Sequence, residues 1–249
     1  MKKPLLIASA ALGLVAIAIV AVVAIQLLRS DDPDLATEAP AIVSPTAGAL
    51  QPTGAGAGST AGSSDGAAVL PDGVRRFVIV PAESEAKYVV RESLRGLTTN
   101  AVGTTRAIEG DIYLTAAGLS DAGVSAFRVD LSSLRSDEGM RDNFIKRNTL
   151  QTTQYPYAEF VIEAVSGWPA AYVEDTEVEI ALSGTLTIRD VSLPVIWAVK
   201  ARQLGDTLTA VADLTINFQD FGMSPPRVPI ATAEDEIQLQ VVLVAREGA

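Results

Sequence analysis

The sequence predicts an all-β fold: an eight-stranded antiparallel barrel with one short helix, preceded by a single N-terminal transmembrane helix. Three observations predict it. An uncharged run of 25 residues, PLLIASAALGLVAIAIVAVVAIQLL, follows Lys2 and Lys3. A low-complexity stretch of Ala, Gly, Ser, Pro and Thr separates that run from the rest. From Val74 to Glu247, apolar and polar residues then alternate with the period-two rhythm of strands that have one dry face.

The first element is residues 1–29. About 20 apolar residues in a helix cross a bilayer core, so the run from Pro4 to Leu28 is long enough. The apolar core of a cleaved signal peptide is shorter, about 7–15 residues, and ends in a small-x-small site. Here Ala8-Ser9-Ala10 comes too early and nothing suitable follows Leu28, which reads as an uncleaved signal anchor. Lys2 and Lys3 before the run and Asp31, Asp32 and Asp34 after it place the N-terminus in the cytoplasm by the positive-inside rule. The expected location is the cytoplasmic membrane, single-pass, with the C-terminal domain on the extracytoplasmic side.

Residues 30–72, with segments such as TGAGAGSTAGSSDG from Thr53 to Gly66, hold too few large apolar side chains to offset the entropy of ordering. A disordered tether is expected. As a flexible coil its ends would lie roughly 35 Å apart.

Residues 73–249 form the expected folded domain. Ile108, Gly110, Ile112 and Leu114 alternate with Glu109, Asp111 and Tyr113, and the same rhythm runs through Phe127–Leu131, Ala158–Ile162, Val178–Ile188, Val195–Val199, Leu208–Phe218 and Ile237–Leu243. Phe77–Val80 and Tyr88–Val90 add strands at the start. An antiparallel sheet with one buried face must close on itself or stack on a second sheet. The length of the segments Thr176–Arg189 and Asp206–Asn217 favours a barrel over a sandwich of short strands. The inward residues Phe160, Ile162, Leu182, Leu186, Ile188, Trp197, Leu214, Ile216 and Phe218 are core in either case. Gly110, Gly184, Ala210 and Ala212 fall on the same faces and suggest room inside.

One segment breaks the rhythm. From Ser136 to Leu150 the spacing is helical, with Ser136 as candidate N-cap, Asp137 and Glu138 in the first turn, and Arg141, Lys146 and Arg147 towards the end, an arrangement that suits the helix dipole. Asp142 and Lys146 stand at i and i+4. Met140 and Phe144 share a face able to turn into the barrel. The helix then either plugs one end or forms the mouth of a channel in which its cations meet an anionic head group.

Composition excludes much chemistry. The chain has no Cys and no His, so thiolate and imidazole nucleophiles, imidazole metal sites and disulfides are out of reach. Its formal charge is -11, the wrong sign for a nucleic-acid partner. No cofactor, no metal and no catalytic residue is expected.

Five segments resemble the YceI-like domain family. SGTLTIRDVSLPV (Ser183–Val195) resembles its strand–turn–strand signature, YPYAEFVIEAV from Tyr155 its Tyr/Phe-Pro-x-Ala-x-Phe strand, and TINFQDFGM (Thr215–Met223) its Asp-Phe-Gly-Met segment. DEIQLQVVLVA from Asp235 is similar to its closing strand, and Arg141-Asp142 with Ile145 to its short helix. The resemblance implies a lipocalin-like barrel whose apolar lumen holds an isoprenoid chain, polyprenyl or quinone tail, for storage or carriage. Its wall would then include Met140, Phe144, Phe160, Ile162, Leu182, Leu186, Ile188, Trp197, Leu214, Ile216 and Phe218, with Arg141, Lys146 and Arg147 at the mouth. The expected partners are a long-chain lipid, implied by this resemblance, and the cytoplasmic membrane, read from the N-terminal helix. The alternative is a non-catalytic module of the cell envelope that binds another protein and uses the barrel as a scaffold.

Overall fold

The computed structural model describes residues 35–42 and 70–248. The expected signal anchor and most of the expected tether lie outside the described residues. The strands are β1 (Arg75–Ile79), β2 (Glu85–Leu94), β3 (Leu97–Thr105), β4 (Ile108–Thr115), β5 (Gly118–Leu119), β6 (Ala126–Asp130), β7 (Arg135–Ser136), β8 (Tyr157–Ser166), β9 (Val178–Ile188), β10 (Val191–Leu204), β11 (Thr207–Asn217), β12 (Arg227–Val228), β13 (Ala231–Ala233) and β14 (Glu236–Glu247). Eight of them close an antiparallel barrel in the order β1-β4-β6-β8-β9-β10-β11-β14, with β14 returning to β1.

Closure is complete at one end only. β1 pairs with β14 from Phe77↔Glu247 to Ile79↔Ala245, and after a single 3-10 turn at Pro81–Glu83 the chain resumes beside the same partner as β2, from Glu85↔Val242 to Val89↔Gln238. β1 and β2 are thus one interrupted strand. On its other edge β1 meets β4 whereas β2 meets β3, so the wall divides at the turn and the barrel splays beyond it. Ser84, 1% exposed, heals the break in the ladder: its hydroxyl accepts from the Val244 N–H at 3.0 Å and donates to the Val244 carbonyl at 3.2 Å. β2 and β3 are joined at Arg95-Gly96, with φ of 51° and 82°, the left-handed pair that a tight two-residue hairpin uses.

The closed half is filled by side chains. Phe127, Phe160 and Trp197 meet with ring centroids 5.6–6.1 Å apart across the barrel axis. Gly184 permits this approach instead of leaving room: a Cβ there would lie 2.0 Å from the Val161 carbonyl oxygen and 3.0 Å from the Phe160 ring. At Gly110 a Cβ would lie 2.1 Å from the Ala126 carbonyl oxygen. The two glycines mark close contacts between strands, which corrects the reading of them as signs of space.

The gap in the splayed half is covered by helix α1 (Gly139–Phe144), which runs on into a π-helical turn at Ile145–Thr149. Its N-cap is Glu138, whose carboxylate accepts from the Met140 N–H at 3.1 Å, and not Ser136. Ser136 is held extended by pairing with Gly103, so the helix starts later. Asp142 accepts from the Ser136 N–H at 2.9 Å and from its hydroxyl at 2.7 Å, taking the role expected of a pair with Lys146. Arg141 fastens the helix to β2 through Glu92 at 2.7 Å, the two side chains being 17% and 8% exposed, and also meets Asp137.

Within the span expected to be a tether, residues 35–42 are seated on the outer wall. The Ala36 N–H donates to Gln240 Oε1 at 2.7 Å while Gln240 Nε2 donates to the Ala36 carbonyl at 2.8 Å and to Asp213 at 2.7 Å. Lys200 donates to the Thr37 carbonyl at 2.8 Å, and the Ala39 N–H donates to Glu177 at 3.1 Å. Ala39 is buried.

Two outcomes follow for stability. Gly184→Ala overpacks the contact between β8 and β9 and should cost about 1–3 kcal/mol, read as a lower midpoint of thermal or urea unfolding. Arg141→Met leaves Glu92 buried without its countercharge and should cost at least about 2 kcal/mol, whereas the double variant Arg141→Met/Glu92→Leu should recover most of the loss in a double-mutant cycle.

Candidate functional site

In the splayed half the strands enclose a cavity of about 920 Å³. This sits at the upper end of the roughly 300–1,000 Å³ typical of pockets for small ligands. Its floor is the triad Phe127, Phe160 and Trp197. The Trp197 indole N–H is buried with no hydrogen-bond acceptor among the described residues. Alternation supplies the walls: Ala86, Tyr88 and Val90 from β2, Leu186 and Ile188 from β9, Ile216 from β11, and Ile237, Leu239 and Val241 from β14. Phe144, Ile145 and Leu150 come from the helical segment that covers the gap, and Phe218 and Met223 from the turn after β11.

Polar groups gather near the opening. The Arg141–Glu92 ion pair lies there, and the Tyr88 phenol is pushed up to about 12, chiefly by burial, with Arg141 opposing the shift. The phenol therefore stays neutral throughout the physiological range. The arrangement is an apolar well with a polar collar, suited to a ligand with a long hydrocarbon part. Burial of such a part is favourable by about 0.8 kcal/mol per CH2.

Of the residues expected on the lumen wall, Met140, Phe144, Phe160, Leu186, Ile188, Trp197, Ile216 and Phe218 border the cavity. Ile162, Leu182 and Leu214 point inward but belong to the packed half. Periodicity gave their face, but not their height along the barrel relative to the aromatic floor. Ala210 and Ala212 also lie in the packed core and make no space. Met140 borders the opening and is 75% exposed. Arg141 lines the cavity, but its guanidinium is already paired; Lys146 and Arg147 stay off the lining. Burial and the nearby Arg135 hold the Lys146 ammonium below the usual lysine range.

Tyr88, Glu92, Met223 and the β14 residues Ile237, Leu239 and Val241 line the cavity beyond those expected from the sequence. The alternation in EAKYVVRESL and DEIQLQVVLVA could have found the apolar ones. Nothing local could have found Glu92, whose partner is 49 positions away.

A family model described as the YceI-like domain matches residues 77–245. No curated protein matches the chain. Among solved structures, BcnA of Burkholderia cenocepacia is 21% identical, with 67% of this chain and 98% of that one covered at a TM-score of 0.54. A polyisoprenoid-binding domain from Saccharophagus degradans, implicated in plant cell wall breakdown, is 15% identical, with 70% and 99% covered at a TM-score of 0.56. These likenesses are of fold. The matched span takes in the barrel from β1 to β14, and the chain belongs to the YceI-like family.

Proposed function

We propose that the protein is a membrane-anchored extracytoplasmic barrel that binds an apolar lipid chain of isoprenoid type, such as a polyprenyl or quinone tail, for storage or carriage. The observation that carries this reading is the cavity of about 920 Å³, walled by apolar side chains and open at one end, in a YceI-like barrel. The polyisoprenoid-binding domain among its structural neighbours supports the ligand class. The membrane part of the reading is supported by the uncharged run from Pro4 to Leu28. Among the described residues no helix is long and apolar enough to cross a membrane. Binding here needs no bond-making step. The lumen removes hydrocarbon from water, and the polar collar leaves a head group at the opening.

The chain from residue 35 onward keeps the seated segment and the whole barrel. Extracted with organic solvent and examined by mass spectrometry, it should yield about one long-chain lipid per barrel. An extract free of lipid would overturn the reading in favour of a protein-binding scaffold. Ala158→Phe, which fills the cavity from β8, should abolish lipid recovery while the unfolding midpoint changes little. For the anchor, the full chain should stay in membranes through alkaline extraction, with its barrel cleaved only by protease added on the extracytoplasmic side.

A further inference from the structure

Two hairpin tips stand side by side at the open end. The β2–β3 turn and the β12–β13 turn are tied by the Arg95 N–H, which donates to the Ile230 carbonyl at 2.8 Å. The pair presents Leu97, 74% exposed, Ile230, 54%, and Val228, 40%, and across the opening stands Met140. All four border the cavity, so the apolar surface is continuous from the lumen to solvent. A rim of large apolar side chains in water is costly unless something covers it.

The charges around the rim select the partner. At the closed end and along the wall, Arg75, Arg76, Arg128, Arg202 and Arg246 each meet a carboxylate. At the open end, Arg91 on β2, Arg95 in the β2–β3 turn and Arg227 on β12 are exposed, and none has an ion pair among the described residues. Of the acids bordering the opening, Asp137 meets Arg141 and Glu138 caps the helix, whereas Glu159 is exposed. Glu234, also exposed, lies beside Arg91 behind the β12–β13 tip, its N–H donating to the Arg91 carbonyl at 2.9 Å. Within a chain of net charge -11, Arg95 and Arg227 thus stand directly beside the exposed apolar tips. That pairing of apolar tips with free cations matches an anionic lipid surface, where side chains enter the acyl boundary and arginines meet phosphates.

We infer that the open end docks on a bilayer containing anionic phospholipid, with the β2–β3 and β12–β13 tips dipping into it, so that an apolar chain passes between membrane and lumen without crossing water. The inference rests on the reading of the lumen as a lipid site.

The chain has no cysteine, so single labels need no background removal. Leu97→Cys, Ile230→Cys and, as a control at the closed end, Val173→Cys in the full chain carry the fluorophore NBD. Each is mixed with phosphatidylcholine vesicles with and without phosphatidylglycerol. With phosphatidylglycerol, emission at positions 97 and 230 should shift to the blue and be quenched by brominated acyl chains, while position 173 is unmoved. Arg91→Glu/Arg227→Glu should reverse the shift. Labels that stay aqueous on both vesicles overturn the inference. So does a blue shift without vesicles that grows with protein concentration, which would mark an interface between copies. Lipid extraction of the same samples separates the two readings: a loaded lumen with aqueous labels overturns the docking alone, and immersed labels with an empty lumen overturn the lumen reading alone.

Discussion

The architecture depends on one interrupted pairing. A barrel of eight strands closed along its full length leaves an interior that side chains can fill, and the end where β1 meets β14 is filled in that way. The turn at Pro81–Glu83 breaks the strand that runs from β1 into β2, and Ser84 supplies the hydrogen bonds that the ladder loses there. Past the break the strand takes a new neighbour, the wall widens, and an aromatic floor divides packed core from hollow. Cavity, covering helix and exposed tips all follow from that change of partner.

The hollow costs the protein dispersion contacts along its lining. The fold limits the cost by placing the void against elements already fixed by pairing, and by fastening the covering helix with charge. Arg141 and Glu92 form a mostly buried pair, an arrangement that specifies position better than it stabilises. Its value here is registry. It sets Phe144 and Leu150 over the gap and leaves Met140 at the edge.

Much of this was legible in the sequence, and the limits are physical. Period-two alternation gave the strands, their inward faces and the barrel, because each strand has one dry side. It does not give height along the axis, so Ile162, Leu182 and Leu214 share the face of the lumen wall but lie in the packed half. Gly184 showed that a position must be small without showing whether the reason was space or contact. The helix was readable from its spacing, but its cap was displaced because Ser136 pairs with a strand distant in sequence. Glu92 became visible only in three dimensions.

The segment seated through Ala36 changes how the N-terminal part constrains the domain. Tethering by a flexible coil would allow wide excursions, yet Gln240 grips the backbone close behind the apolar run. From Arg29 to Ala36 the chain can span at most about 25 Å, even fully stretched. Under the proposed anchoring, this clasp, and not the length of sequence between residue 42 and β1, sets how far the barrel reaches from the bilayer. Under that same proposal, added sequence between residue 42 and β1 would leave the reach unchanged, whereas loss of the Gln240 amide would lengthen it at once.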